Sequence, residues 1–246
     1  MRLALTYEFE VNQQGRDGLH FLGIKTDAQM WTWMERFLVA TMHDLRAGSD
    51  SPLQLIAGYN VRQLRMEPVS CTPRSTVFHH IGVGSNDDQT RECMPAFDAA
   101  TMDTRPFGPA GRPYNYTAQF AGSDAQSYLR GSWFPTGGFK LPMDNISTVQ
   151  EATLAVQRAR QDGWLDSSTR AVFIDFAVIG PSNGFITAAK LILEFDTIGH
   201  VHPSAKIQTV LQCRVALPQI ALYTPSCHVL NKTRPLYFLS GSILYR

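Results

Sequence analysis

The stretch Arg170-Ala-Val-Phe-Ile-Asp-Phe-Ala-Val-Ile-Gly-Pro-Ser-Asn-Gly-Phe-Ile-Thr-Ala-Ala-Lys-Leu-Ile-Leu-Glu-Phe195 decides the fold. In an extended chain, successive side chains point to opposite faces. Val172, Ile174, Phe176 and Val178 therefore share one face, and Phe173, Asp175, Ala177 and Ile179 the other. Both sets are apolar but for Asp175, which predicts a central strand covered on both sides. Gly180-Pro-Ser-Asn-Gly184 supplies turn-forming residues, and Phe185 to Phe195 returns as a second long strand.

Asp175 is the exception that carries information. A lone carboxylate in so apolar a strand is costly to desolvate, so it needs a cationic or hydrogen-bonding partner, with Arg170, Arg62 or Lys190 the candidates. Its role is read as structural, since burial without a cleft gives a substrate no access.

Working outward, Leu3 to Val11 alternates as a half-buried strand. Thr26-Asp-Ala-Gln29 reads as a capping box, and Met30, Trp33, Met34, Phe37, Leu38, Thr41 and Leu45 recur at helical spacing up to Gly48. Leu53 to Met66 is strand-like, and Val61 to Met66 alternates as a member of the sheet. From Cys71 to Gly138 periodicity disappears among Pro, Gly and polar clusters, which predicts a long, loop-rich excursion held by a disulfide. A second capping box, Ser147-Thr-Val-Gln150, opens a helix running to about Asp162, with Gly163 placed to take the left-handed C-terminal conformation. A last strand is expected from Lys206 to Leu217. No repeat or low-complexity linker divides the chain, so residues 1–246 read as one α+β domain, an antiparallel β-sheet flanked by helices.

Composition excludes several classes of partner. The 246 residues carry 22 basic and 21 acidic side chains with no run of like charge, which leaves no electrostatic footprint for nucleic acid or an anionic membrane surface. No stretch of about 18 apolar residues exists, so no membrane span is expected, and the alternating N-terminus does not read as a signal peptide. Delivery to the cell exterior would need a further segment.

Four cysteines, Cys71, Cys93, Cys213 and Cys227, have neither zinc-ligand spacing nor a matching His pattern. Of three possible connectivities the sequential one is simplest, each bridge contributing about 3 kcal/mol by loop entropy. Three glycosylation sequons, at Asn115, Asn145 and Asn231, each lie beside turn-forming residues. Together these features favour an exterior location and N-linked glycans. No catalytic constellation is present: the motifs for nucleophile elbows, phosphate loops and zinc proteases are missing. His79-His80, His200-x-His202 and Asp87-Asp88 lack the further ligands a metal site needs. No cofactor is expected.

The stretch Asp162-Gly-Trp-Leu-Asp-Ser-Ser-Thr-Arg-Ala-Val-Phe-Ile-Asp-Phe176 resembles the strand entry of the polycystin domain, the exoplasmic insert between the first two transmembrane helices of polycystin cation-channel subunits. In the same order follow resemblances at Met30-Trp-Thr-Trp-Met-Glu-Arg-Phe-Leu38, Asn60-Val-Arg-Gln-Leu-Arg65, Cys71 with Cys93, Arg105-Pro-Phe-Gly-Pro109, Leu191-Ile-Leu-Glu-Phe195 and Lys206-Ile-Gln-Thr-Val210. The match covers roughly Thr26 to Val210, with 211–246 a divergent extension.

The resemblance implies a non-catalytic domain that assembles subunits and caps or gates a calcium-permeable pore. Its partners would be polycystin-type subunits or copies of itself, on the extracellular face of the plasma or ciliary membrane. It also implies a Cys71–Cys93 disulfide, and it makes Arg170 with Asp175 the expected polar fastening of the central strand. The hairpin tip Ile179 to Gly184, and Cys213, Pro218, Cys227 and the Asn231 sequon after the last strand, depart from the family's pattern. The alternative is a stand-alone secreted structural glycoprotein of a cell-surface, ciliary or flagellar appendage.

Overall fold

One antiparallel sheet organises the molecule, and a computed structural model describes it for residues 19–48, 52–56, 58–71, 91–118, 125–126, 133–143, 148–182 and 184–211. The strands are β1 (Gln54–Leu55), β2 (Asn60–Met66), β3 (Val69–Cys71), β4 (Arg91–Cys93), β5 (Met102–Asp103), β6 (Tyr116–Thr117), β7 (Ala125–Gln126), β8 (Trp133–Phe134), β9 (Gly138–Lys140), β10 (Thr169–Gly180), β11 (Phe185–Phe195) and β12 (Val201–Leu211). The main sheet runs β12-β11-β10-β2-β9-β6, with β1 added to β10 and β5 to β2. Two-stranded ribbons β3–β4 and β7–β8 stand apart.

The hairpin of β10 and β11 is the centre, as its two apolar faces require. Their register runs from Ala171 opposite Glu194 to Gly180 opposite Phe185, and β2 flanks β10 on its other edge. The turn closes with the Gly184 amide on the Gly180 carbonyl at 2.8 Å, and Gly184 takes φ of 69°, a conformation in which a side chain would be strained.

Among the described residues, helices cover one face of the sheet. The first runs through α1 (Asp27–Trp33), a π-helical turn (Met34–Leu38) and α2 (Val39–Ala47), and the second is α3 (Val149–Gln161). Thr26 caps α1 by accepting from the Gln29 amide, while the Gln29 side chain accepts from the Lys25 amide, one residue before the expected one. Gly48, at φ of 64°, ends α2 in the left-handed conformation. The helices bury Met30, Trp33, Met34, Leu38, Met42 and Val156 against Val61, Val172, Ile174, Val178, Leu191 and Leu193. The opposite face of the same strands carries Leu64, Met66, Ala171, Phe173 and Ile192 in a second core, covered by Phe97 and Phe134 from the excursion.

Three boundaries differ from expectation. The cap of α3 is Thr148, not Ser147, with Glu151 reciprocating, because Thr148 is extended while Val149 is already helical. Within Leu53 to Met66 lie two strands, β1 and β2, and β2 extends the expected sheet member Val61–Met66 by one residue, to Asn60. The last strand begins at Val201 rather than Lys206: the turn Asp196 to His200 is so tight that β12 pairs along all of β11, and Pro203 is tolerated because, among the described residues, β12 is an edge strand. Residues 212–217 and the expected strand Leu3 to Val11 lie outside the described residues.

Candidate functional site on the outer sheet face

The excursion is fastened to the sheet by buried arginines. Arg62, on β2, is 1% exposed, and alternation aims it at the face away from the helices. Its guanidinium lies 3.9 Å over the Phe173 ring. Its Nη1 donates to the carbonyls of Pro135 at 3.2 Å and Gly137 at 2.6 Å, and Nε stands 3.7 Å from Asp175 Oδ2. On the other side of β10, Lys190 Nζ is 3.5 Å from Asp175 Oδ1, as the cross-strand register of the two residues dictates. Asp175 is thus bracketed by two cations. Burial nevertheless dominates: it raises the Asp175 pKa and lowers that of Lys190, with the mutual attraction opposing both shifts.

Arg170 has a different task from the one expected. Its Nε donates to the Pro95 carbonyl at 2.7 Å and its Nη1 to the carbonyls of Ser167 and Thr169 at 2.8 and 2.6 Å. Arg170 and Asp175 therefore do not form one fastening. Five residues of extended chain separate them by about 16 Å, beyond the reach of either side chain. Burial lowers the Arg170 pKa, opposed by the charges of Asp166 and Asp196.

A third arginine, Arg65, shares its face of β2 with Val61 and so points to the helix side. Arg65 Nη2 pairs with Asp166 at 2.9 Å, and its guanidinium lies 3.8 Å over Phe107. Phe107 bridges to Tyr114, whose hydroxyl meets Asp162 at the end of α3 at 3.4 Å. Burial, with the Asp162 charge and hydrogen bond behind it, pushes Tyr114 up to about 12. Asp103 shows the reverse balance: burial alone would raise it, but hydrogen bonds from Arg105 leave it lowered. On the helix side, Gln63 donates to the Trp164 carbonyl and accepts from the Thr169 hydroxyl, tying β2 to the entry of β10.

The aromatic seal over the outer face is continuous, with Phe97 against Phe134 at 4.6 Å and Phe134 against Phe173 at 5.3 Å between ring centres. Trp133, the chain neighbour of Phe134, is 58% exposed. Chemically, this arrangement holds irregular backbone in a fixed shape through carbonyl acceptors; among the described residues no group of three His, Cys, Asp or Glu is placed to hold a metal ion. His200 and His202 both direct a ring nitrogen to Asp196, at 3.6 and 3.3 Å. No described helix is long and apolar enough to cross a membrane.

Of the other residues singled out from the sequence, Asn115 is exposed just before β6. Cys93 is disulfide-bonded and ends β4, opposite Val69, while the backbone of Cys71 lies opposite Arg91. Asn145, Asn231, Cys213, Cys227, His79, His80, Asp87 and Asp88 lie outside the described residues. Sequence reasoning missed the roles of Pro95, Pro135 and Gly137 altogether. They act through carbonyl groups, which every residue has, so no side-chain signal marks them.

A family model described as the polycystin domain matches residues 20–211. The chain is 26% identical to polycystin-2 of Danio rerio over 151 residues, 61% of this chain and 16% of that protein. It is 27% identical to polycystin-2-like protein 1 of Homo sapiens over 244 residues, 92% of this chain and 28% of the relative. To Homo sapiens polycystin-1 it is 26% identical over 190 residues, 73% of this chain and 4% of the relative. The chain spans less than a third of the length of each of these relatives.

Proposed function

The chain belongs to the polycystin-domain family, and we propose that it is the exoplasmic, non-catalytic part of a calcium-permeable cation-channel subunit, acting in assembly and in pore capping or gating. The observation that carries this reading is the fixing of the excursion on the outer sheet face by Arg62 and Arg170. Irregular chain ordered in advance loses little further entropy when a partner docks, so it suits recognition between subunits. The partners in this reading are polycystin-type subunits or further copies of the chain. The location is the extracellular face of the plasma or ciliary membrane, with N-linked glycans on Asn115, Asn145 and Asn231.

The same reading pairs Cys71 with Cys93. Cys93 is disulfide-bonded, and the backbone positions of Cys71 and Cys93 both belong to the β3–β4 ribbon. A Cys213–Cys227 bridge completes the assignment.

Light scattering and cross-linking of the secreted chain, alone and mixed with a separately expressed polycystin domain of a channel subunit, test the assembly role. Concentration-dependent oligomers or a mixed complex are expected. A chain that stays monomeric in both experiments overturns it.

A further inference from the structure

Among the described residues no strand pairs with the outer edge of β12, although β12 runs the full length of β11. Across that edge the Val201 amide donates to the Lys25 carbonyl at 3.0 Å. Main-chain groups of an extended strand alternate between its two edges, so the amides of Ala205, Ile207 and Thr209 face the same way, with Pro203 offering no donor between them and Val201. Such an open row is a template for a further strand. Its two faces differ in character. Ala205 and Ile207 pack on the helix-side core, whereas Lys206 stands on the outer face directly across from Lys190. Like charges directly opposite each other destabilise a strand pair. Asp175 is already engaged by Lys190 and Arg62, and among the described residues Lys206 joins no ion pair. A strand that fits this edge is therefore apolar on one face and acidic on the other.

Residues 3–11, outside the described residues, carry that pattern: Leu5, Tyr7, Phe9 and Val11 alternate with Thr6, Glu8 and Glu10. The described chain begins at Leu19 beside the start of β12, where the turn Phe21–Gly23 packs and Lys25 meets Val201. The seven polar or Gly residues 12–18 reach at most about 24 Å, enough to bring Val11 to the Val201 end of the edge, so that residues 3–11 run against β12. We propose that residues 3–11 add to the open edge of β12 as a further antiparallel strand, their apolar face continuing the helix-side core and a glutamate answering Lys206. Two registers satisfy both faces. Glu8 opposite Lys206 sets Tyr7 against Ile207 and Phe9 against Ala205; Glu10 opposite Lys206 sets Phe9 against Ile207 and Val11 against Ala205. The contact lies within one chain and is independent of the channel assignment.

Hydrogen exchange of the full 246-residue chain at single-residue resolution tests it. The amides of Ala205, Ile207 and Thr209 are expected to be protected, together with alternate amides in residues 3–11. In a variant combining Glu8→Lys with Glu10→Lys these amides should exchange about tenfold faster. The His202, Ser204 and Lys206 amides, which face β11, should keep their protection and report the fold intact. Adding Lys206→Glu should restore the wild-type rates, since opposite charges then face each other again. Amides at 205, 207 and 209 that exchange freely in the wild type overturn the proposal, because the edge is then open. Protection that is indifferent to the glutamate charges, or that Lys206→Glu fails to restore, overturns it by assigning the edge to another segment. Protection that fades on dilution, with a matching dimer in light scattering, assigns the edge to a second copy and overturns it equally.

Discussion

Replacing Arg62 with Met tests the fastening of the excursion most directly, because the side-chain volume is roughly kept while the donors and charge are lost. Nη1 serves two buried carbonyls, and hydrogen bonds to charged groups contribute about 1.5–3 kcal/mol each. Asp175 is left with Lys190 alone at 3.5 Å, and breaking a buried pair by removing one partner costs about 3–5 kcal/mol. Part of this is offset, since Met need not be desolvated as a cation and still packs on Phe173. The net expectation is a loss of about 4 kcal/mol. At about 2–4 °C per kcal/mol for a domain of this size, Tm falls by about 10 °C. Urea unfolding at neutral pH measures the global loss. Hydrogen exchange locates it, with the amides near Pro135 and Gly137 losing protection ahead of the β10–β11 hairpin. A loss below about 1 kcal/mol with unchanged exchange at those amides would refute the claim that Arg62 holds the excursion down.

The remaining predictions follow from single contacts. Because burial raises the folded-state pKa of Asp175 above its unfolded value, the folded protein holds that proton to higher pH, so stability falls as pH rises from about 4 through the folded pKa; Asp175→Asn should flatten that slope in a series of urea midpoints. Gly138→Ala should cost more than about 2 kcal/mol in thermal unfolding, because a Cβ there would lie 2.6 Å from the Gln63 carbonyl oxygen and φ is 147°. Thr148→Ala removes the cap of α3 and should cost about 1 kcal/mol, with Thr148→Ser recovering most of it.

Asp175 owes its partners to both the local run of residues and the tertiary fold. That it needs a cationic partner follows from one carboxylate in an apolar run, and two of the three candidates, Arg62 and Lys190, meet it. Arg170 could have been set aside by distance along the strand. The choice of Arg62 needed the register between β2 and β10, which links segments more than 100 residues apart. Helix ends were legible to within a residue because caps are local chemistry, as at Thr26, Thr148 and Gly48. The start of β12 was not, since Pro203 and His200 look like loop residues until the β11 edge pairs with them.

By itself, then, the sequence determined the central hairpin, the helices with their termini, the family resemblance and the presence of an irregular insert. Each rests on periodicity, capping or a local run of residues that is the same in any context. Tertiary structure alone decided that helices cover one face and the excursion the other, and that Arg62 and Arg170 reach for backbone carbonyls in that excursion. The reason is physical: a buried guanidinium is satisfied by whatever oxygen atoms the fold brings within about 3 Å, and carbonyl oxygens leave no mark in a sequence.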